Sequence, residues 1–335
     1  MAYTGTGSSA DPAIPSTITE LYQILADARN GNVNGNTSGP YYIKLTQDID
    51  CADDPNYIGY AGSINCAGSS FAKTVVKIYA DTKKYIRGLT VKDSCFMYFY
   101  ANFNGQGTTI ENIDFIDCFF KPTGTESYGL YVFYSGPSSY ALLKNSTVSL
   151  SVYGYVSGST TYMCGLASYV AFNNCSIYIK NNAPSGLMYS NYKTFYPMQS
   201  SSRSTANNVF ILDGFYIRSQ GSSWDYPLIR FKNNNDCYNS FIFKNPIVQS
   251  PNNIFGMYYG SYNYIAFINP TAASGVSTPV SISIATDTSM AIFATDSLAY
   301  GTVITKGSDS SGASYWLTLD ELKSEQKLLD IGFVP

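Results

Sequence analysis

The chain contains no histidine in 335 residues. That single absence removes Ser-His-Asp and Cys-His nucleophilic systems, histidine metal sites and imidazole acid–base chemistry. Charge is scarce too. Only 13% of residues are Asp, Glu, Lys or Arg, about half the usual share. The formal net charge is −3, so no basic footprint points to nucleic acid. The seven cysteines, at 51, 66, 95, 118, 164, 175 and 237, form no Cys-X-X-Cys pair. Zinc and dithiol motifs are therefore missing, and the odd count argues against a disulfide framework. They read as small buried apolar residues. No run approaches the roughly 18 apolar residues of a membrane span, and neither a Walker A sequence nor a dinucleotide fingerprint occurs. The stretch from Met1 to Ser16 is polar and lacks the cationic-then-apolar order of a signal peptide. A protein with this surface and no export signal fits release by lysis of its cell.

What fills the space is Ser, Thr, Asn, Gly and Tyr, with 31 tyrosines and an aromatic share of 16%. The hydrophobic share of 45% lies in the globular range and excludes wholesale disorder. Residues 1–126 hold 13 acids and 9 bases, residues 127–286 hold 3 acids and 8 bases, and residues 287–335 hold 7 acids and 3 bases. The middle is mildly positive and nearly free of carboxylates. That field would favour an acidic glycan or a teichoic-type polymer, although eight bases over so long a stretch also suit a plain solvated surface.

A phrase of asparagine followed by a strand-like run returns along the chain. It begins at Asn112, Asn145, Asn174, Asn208, Asn239 and Asn263, giving spacings of 33, 29, 34, 31 and 24 residues. A period of this size, filled with strands and turns, implies stacked coils, a β-solenoid. Asparagines at equivalent corners would then hydrogen-bond up and down the stack. An amphipathic helix precedes the coils: Thr17 and Glu20 form a capping box, Leu21, Ile24, Leu25 and Ala28 recur at helical spacing, and Asn30-Gly31 ends it. The expected organisation is a flexible arm over 1–16, a capping helix and loop over 17–38, parallel coils over 39–304 and a C-terminal helical segment over 305–335. Thr318 and Glu321 mark the start of that last helix and Gly332 its stop.

The patterns Ile18-Thr19-Glu20-Leu21 and Tyr42-Ile43-Lys44-Leu45-Thr46-Gln47-Asp48-Ile49 resemble the opening of right-handed parallel β-helix proteins of the pectin-lyase-like superfamily. Ile86-Arg87-Gly88-Leu89-Thr90-Val91 and Ile110-Glu111-Asn112-Ile113-Asp114-Phe115 resemble their coil strands. The closing Leu319-Asp320-Glu321-Leu322-Lys323 to Ile331-Gly332-Phe333 is similar to the end of β-helix surface and phage proteins. The resemblance implies an all-β, single-stranded right-handed parallel β-helix with a helical N-terminal cap. It implies no particular chemistry, since that superfamily holds both glycan-cleaving enzymes and inert virion shafts.

With histidine gone, the chemistry left is a carboxylate pair on a glycan, which needs two Asp or Glu about 5–9.5 Å apart. Asp114 and Asp117 are the nearest candidates, but alternation puts them on opposite faces unless a turn after Ile116 makes Asp117 a corner residue. Asp48, Asp50, Asp53 and Asp54 form an acidic patch that could attract calcium, yet it lacks the spacing of a calcium loop and reads as a solvated strand end. Arg230 and Lys232 share a strand face near Asp225 and Asp236, a thin constellation for a lyase. The aromatic runs Phe96-Met97-Tyr98-Phe99-Tyr100 and Met257-Tyr258-Tyr259-Gly260-Ser261-Tyr262 must turn half their rings outward, toward a sugar or, in preference, a sister subunit. The residues named for ligand contact are Trp224, Tyr226, Arg230, Tyr258 and Tyr259, with no catalytic set, no metal ligands and no cofactor expected.

The function expected from these features is a non-enzymatic virion protein of a tailed bacteriophage, a spike, fibre or capsid decoration. It would form a homo-oligomer, a trimer by preference, dock to other virion proteins through its N-terminal arm and touch host surface polysaccharide. No nucleic acid and no membrane insertion are expected. A phage polysaccharide depolymerase on the same fold is the rival, and a bacterial surface adhesin the third reading.

Overall fold

The computed structural model describes residues 3–68, 73–100, 102–103, 106–123, 131–136, 140–153, 155–157, 160–162, 165–182, 198–199, 207–217, 239–245, 247–248, 263–268, 271–272, 290–294 and 303–305. Short alternating strands separated by long returns can bury their apolar faces in one economical way, by lying beside the equivalent strand of the next coil. The main sheet does this. Its path runs through β1 (Tyr41–Lys44), β2 (Val75–Arg87), β3 (Thr109–Phe120), β4 (Thr147–Val152), β5 (Ser176–Asn181), β6 (Asn208–Asp213), β7 (Asn239–Lys244), β8 (Asn263–Ile268) and β9 (Met290–Ala294), each parallel to the next. A second, five-stranded parallel sheet joins Ile64–Asn65, Met97–Tyr98, Tyr131–Tyr134, Gly165–Ser168 and Met198–Gln199. A third has three short strands at Tyr216–Ile217, Ile247–Val248 and Thr271–Ala272. The chain is an all-β parallel solenoid, as its periodicity requires.

The interior is apolar and closely stacked. Phe172 meets Phe133 and Phe210 edge-on, with centroids 5.3 and 5.4 Å away, and all three are fully buried. Phe96 meets Phe115 the same way at 5.9 Å. A fully buried ring of this kind contributes about 1.5–3 kcal/mol by burial alone, and edge-on pairs add to it. The long strands β2 and β3 turn a corner within their length; β3 lies along both Ala141–Lys144 and β4 of the following coil.

Register corrects the repeat by one residue. Val148 lies beside Phe115, Ser176 beside Thr147, Val209 beside Ser176, Asn239 beside Asn208 and Asn263 beside Asn239. The coil offsets are therefore 33, 29, 33, 31 and 24 residues, whereas the asparagine spacings have 34 in third place. The six asparagines consequently occupy two columns. Asn112, Asn145 and Asn174 share the corner with Asn207, whereas Asn208, Asn239 and Asn263 stand one position further on.

Both ends differ from expectation. Helix α1 (Ile18–Asn30) forms as read, with the Thr17 hydroxyl accepting from the Glu20 amide and Gly31 in the left-handed region at φ 76°. It buries Ile18, Leu21, Ile24, Leu25 and Ala28 against the first coils. The preceding segment is not a free arm. Thr4 bridges Ile14, Ala13 bridges Ile43, Tyr3 and Ala13 belong to the core, and the Tyr3 hydroxyl donates to Asp27 of the helix at 2.6 Å. At the other end β10 (Val303–Thr305) runs antiparallel to β9. A parallel return needs a dozen or more residues, and only residues 295–302 separate these strands, so the chain turns back as a hairpin. Residues 306–335, where a helix is expected, lie outside the described residues.

Candidate functional site

The corner explains the asparagines. Asn112, Asn145, Asn174 and Asn207 have φ of 59, 51, 54 and 58°, the left-handed region that asparagine tolerates better than most residues. Their amides form a ladder: Asn145 donates to Asn112 at 3.1 Å, Asn174 to Asn145 at 3.0 Å, and Asn112 to the Ala80 carbonyl at 2.8 Å. The residue after the corner turns inward. Ser146 donates to the Lys144 carbonyl at 3.0 Å, and Cys175 lies 3.4 Å from the Asn173 carbonyl, the same two-residue reach. In the next coil that inward place holds Asn208, whose side chain accepts from the Cys175 amide at 2.9 Å and donates to the Phe172 carbonyl at 3.0 Å. These groups are buried framework. Burial pushes the thiols of Cys51, Cys66 and Cys118 up to about 12 and that of Cys175 up to about 11, far from a nucleophilic thiolate.

Most of the described coil carboxylates are also taken up by structure. Asp114 pairs with Lys83 at 3.0 Å and accepts from the Thr147 amide of the next coil at 2.7 Å. Asp117, with φ 49°, lies beside Gly88 of the preceding coil, itself at φ 72°, in the stretch from Phe115 to Cys118 where β3 bulges by one residue against β4. That extra residue puts both acids on the outer face, where strict alternation would have separated them. Glu111 is clasped by Lys144 at 2.8 Å and Lys77 at 2.7 Å, and these hydrogen bonds hold its carboxyl below the ordinary range. Asp213 accepts from the Tyr178 hydroxyl and the Asn245 amide.

The acidic patch of the first coil is dispersed among three tasks. Asp48 accepts from the Tyr85 amide at 3.0 Å, Asp50 caps a short turn through the Ala52 amide and faces Arg87, and Asp54 accepts from the Thr19 amide in the first turn of α1 at 2.8 Å. Burial pushes Asp54 up, but hydrogen bonds from Thr19, Asn56 and Thr17 outweigh it and lower its pKa. Among the described residues no three His, Cys, Asp or Glu side chains gather as metal ligands would. Nor does either displaced carboxyl, Glu111 or Asp54, move upward as the acid of a glycosidase must.

Two outward aromatic surfaces are left. On the second sheet Phe96, Met97 and Phe99 point inward while Tyr98 and Tyr100 face out. Tyr98 stacks on Tyr134 of the next coil at 5.5 Å with the rings 4° from parallel, and on Tyr100 at 6.1 Å. Tyr131 joins the row 6.0 Å from Tyr134. Where the main sheet ends, the Lys121 ammonium lies 4.8 Å from the ring centre of Tyr153, 5.4 Å from Phe119 and 5.9 Å from Tyr60, and Lys92 lies 5.8 Å from Tyr60. Tyr60 is 47% exposed, with Ile58 beside it at 85%.

Trp224, Tyr226, Arg230, Tyr258 and Tyr259, the side chains named for ligand contact, lie outside the described residues, as do Asp225, Lys232 and Asp236. The Lys92–Lys121 cluster was not among the sequence candidates. Its members stand in successive coils, so their spacing means nothing until the register is known.

No family model matches the chain, and comparisons with curated proteins and with solved structures find no match. The β-helix part of the resemblance thus stands on the coil geometry, and nothing in the comparisons extends it to a family.

Proposed function

We propose that this chain is a non-enzymatic structural protein of a tailed-bacteriophage particle: a spike, fibre or capsid-decoration subunit built on a right-handed parallel β-helix. The observation that carries this reading is the use of the coil carboxylates. Asp48, Asp50, Asp81, Glu111, Asp114 and Asp213 are committed to ion pairs, backbone amides or neighbouring side chains. A frame that consumes its acids this way leaves little for hydrolysis, and its stacked outer tyrosines suit contact with sister chains. Low net charge favours such association, and a trimer places each chain's second sheet against a neighbour. Host polysaccharide is the second partner, and the virion the place of action.

The alternative, a polysaccharide depolymerase, is favoured by one place only, the bulge that sets Asp114 and Asp117 on one outer face. Incubation of the purified chain with capsular and cell-wall polysaccharides, read as new reducing ends or unsaturated products, separates the two. The structural reading expects no product. Turnover that disappears in Asp114→Asn or Asp117→Asn would replace it with the depolymerase.

A further inference from the structure

We propose that the outer face of β6 and β7 is a docking surface and that its occupant is this chain's own C-terminal segment, residues 306–335. This stands apart from the particle reading. Its basis is a change of pattern along one sheet. A strand with one face in the core and one in water alternates apolar and polar, whereas a strand covered on both faces reads as a continuous apolar run. In β4, Thr147-Val148-Ser149-Leu150-Ser151-Val152 alternates strictly, with Val148, Leu150 and Val152 buried. In β6, Val209 and Ile211 stand on the outer face while Phe210 and Leu212 fill the core. In β7, Ile242 stands on the outer face next to the buried Phe243. Register makes these changes one column. Ser149 lies beside Tyr178, Tyr178 beside Ile211 and Ile211 beside Ile242. The same position is held by Ala266 in β8 and Ile292 in β9. The column thus begins polar and becomes aliphatic, and Val209, Ile211 and Ile242 stay partly exposed. Single apolar residues scattered over a surface need no partner, but an aligned patch marks a contact.

The end of the chain supplies the cover. β10 pairs with β9, so Thr305 lies at the edge of this same sheet with residues 306–335 still to follow. From β10 back to β7 is three strand spacings, about 15 Å, and residues 306–317 reach up to about 40 Å when extended. After them, the capping box of Thr318 and Glu321 opens a stretch in which Leu319, Leu322 and Leu329 recur at helical spacing. A helix over 318–330 is about 20 Å long and about 10 Å wide. That is the footprint of two six-residue strands lying about 4.8 Å apart. Charge agrees. Residues 306–335 hold five acids and three bases, whereas Lys180, Asp213 and Lys244, aligned beside the aliphatic column, sum to one positive charge. A second copy of the chain offers that same column, like sign against like.

The test places the photo-reactive residue p-benzoylphenylalanine at position 242 of the full-length chain, in an equal mixture of isotope-labelled and unlabelled protein. Illumination should give cross-links from position 242 to residues 306–335 of the same chain, seen by mass spectrometry as pairs of uniform label. Hydrogen exchange supplies the second reading. Ile211→Lys and Ile242→Lys should each speed amide exchange over 318–330 about tenfold. Ser149→Lys, in the same column two coils earlier, should leave it unchanged. Exchange over 208–213 reports whether a lysine has loosened the coil itself; where it has, the cross-link decides. Pairs of mixed label would make a second copy the occupant and overturn the proposal. So would the absence of cross-links to 306–335, or exchange over 318–330 that is the same in the unaltered chain and in all three lysine variants.

Discussion

One residue separates two asparagine columns at the same corner, and the two columns do different work. Asn145 and Asn174 face outward, hold the left-handed turn and link coil to coil through exposed amides. Asn208 sits one step on, is 3% exposed, and serves the Cys175 amide and the Phe172 carbonyl inside the coil. The same contrast runs along the coils whose side chains are described. Inner positions are chosen by burial and hydrogen-bond satisfaction, so they carry the stability. Outer positions need only suit water or a partner, so they are free to carry recognition.

Substitutions at matched depths test that division. Phe172→Ala, in the middle of the edge-on ring stack, should cost most, about 3–5 kcal/mol in denaturant unfolding. Asn208→Ala should follow, at about 1–3 kcal/mol, because the Cys175 amide loses its acceptor inside the coil. Asn145→Ala should lose only about 1–2 kcal/mol, mainly for a left-handed residue that alanine accepts poorly. Asn145→Gly should recover much of that loss, since glycine takes this conformation freely. If Asn145→Ala proved costlier than Asn208→Ala, the inner and outer columns would have been assigned the wrong way round.

The smallest effects belong to the outer charges. Glu111→Gln should cost about 0.5 kcal/mol, as half-exposed ion pairs do. Acid should act on the same clasp and on the helix cap. Glu111 and Asp54 have folded-state pKa values below their ordinary 4.5 and 3.8. Their contribution is therefore complete above those values and lost as the pH falls through the lower folded ones. A melting profile from pH 6 to pH 2 should show the decline only below about pH 4.5, less steeply in the Glu111→Gln variant. A decline that starts near neutrality would mean that other groups govern it.

The helix cap is legible residue by residue, because its hydroxyl, its apolar spacing and its terminal glycine are local signals. The coil period is legible for the same reason. The column slip is not, since Asn207 and Asn208 are adjacent and composition cannot say which one turns outward; only the buried Phe210 two places on settles it. The first sixteen residues look like a free arm because they are small and polar, yet Tyr3 and Ala13 are enough to anchor them. The Lys92–Lys121 cluster is hidden for a different reason. Its parts lie on successive coils with unequal offsets, 30 residues from Ala61 to Val91, 29 from Val91 to Phe120 and 32 from Phe120 to Val152, so proximity follows from register and not from spacing.

If the outer faces exist for contact, the tyrosine row of Tyr98, Tyr100, Tyr131 and Tyr134 should hold chains together. Multi-angle light scattering of the purified chain at micromolar concentration tests this directly. The account predicts a trimer of three 36.6 kDa chains, converted to monomer by Tyr98→Ser with Tyr134→Ser without a large change in melting. A stable monomer of the unaltered chain at those concentrations would contradict it.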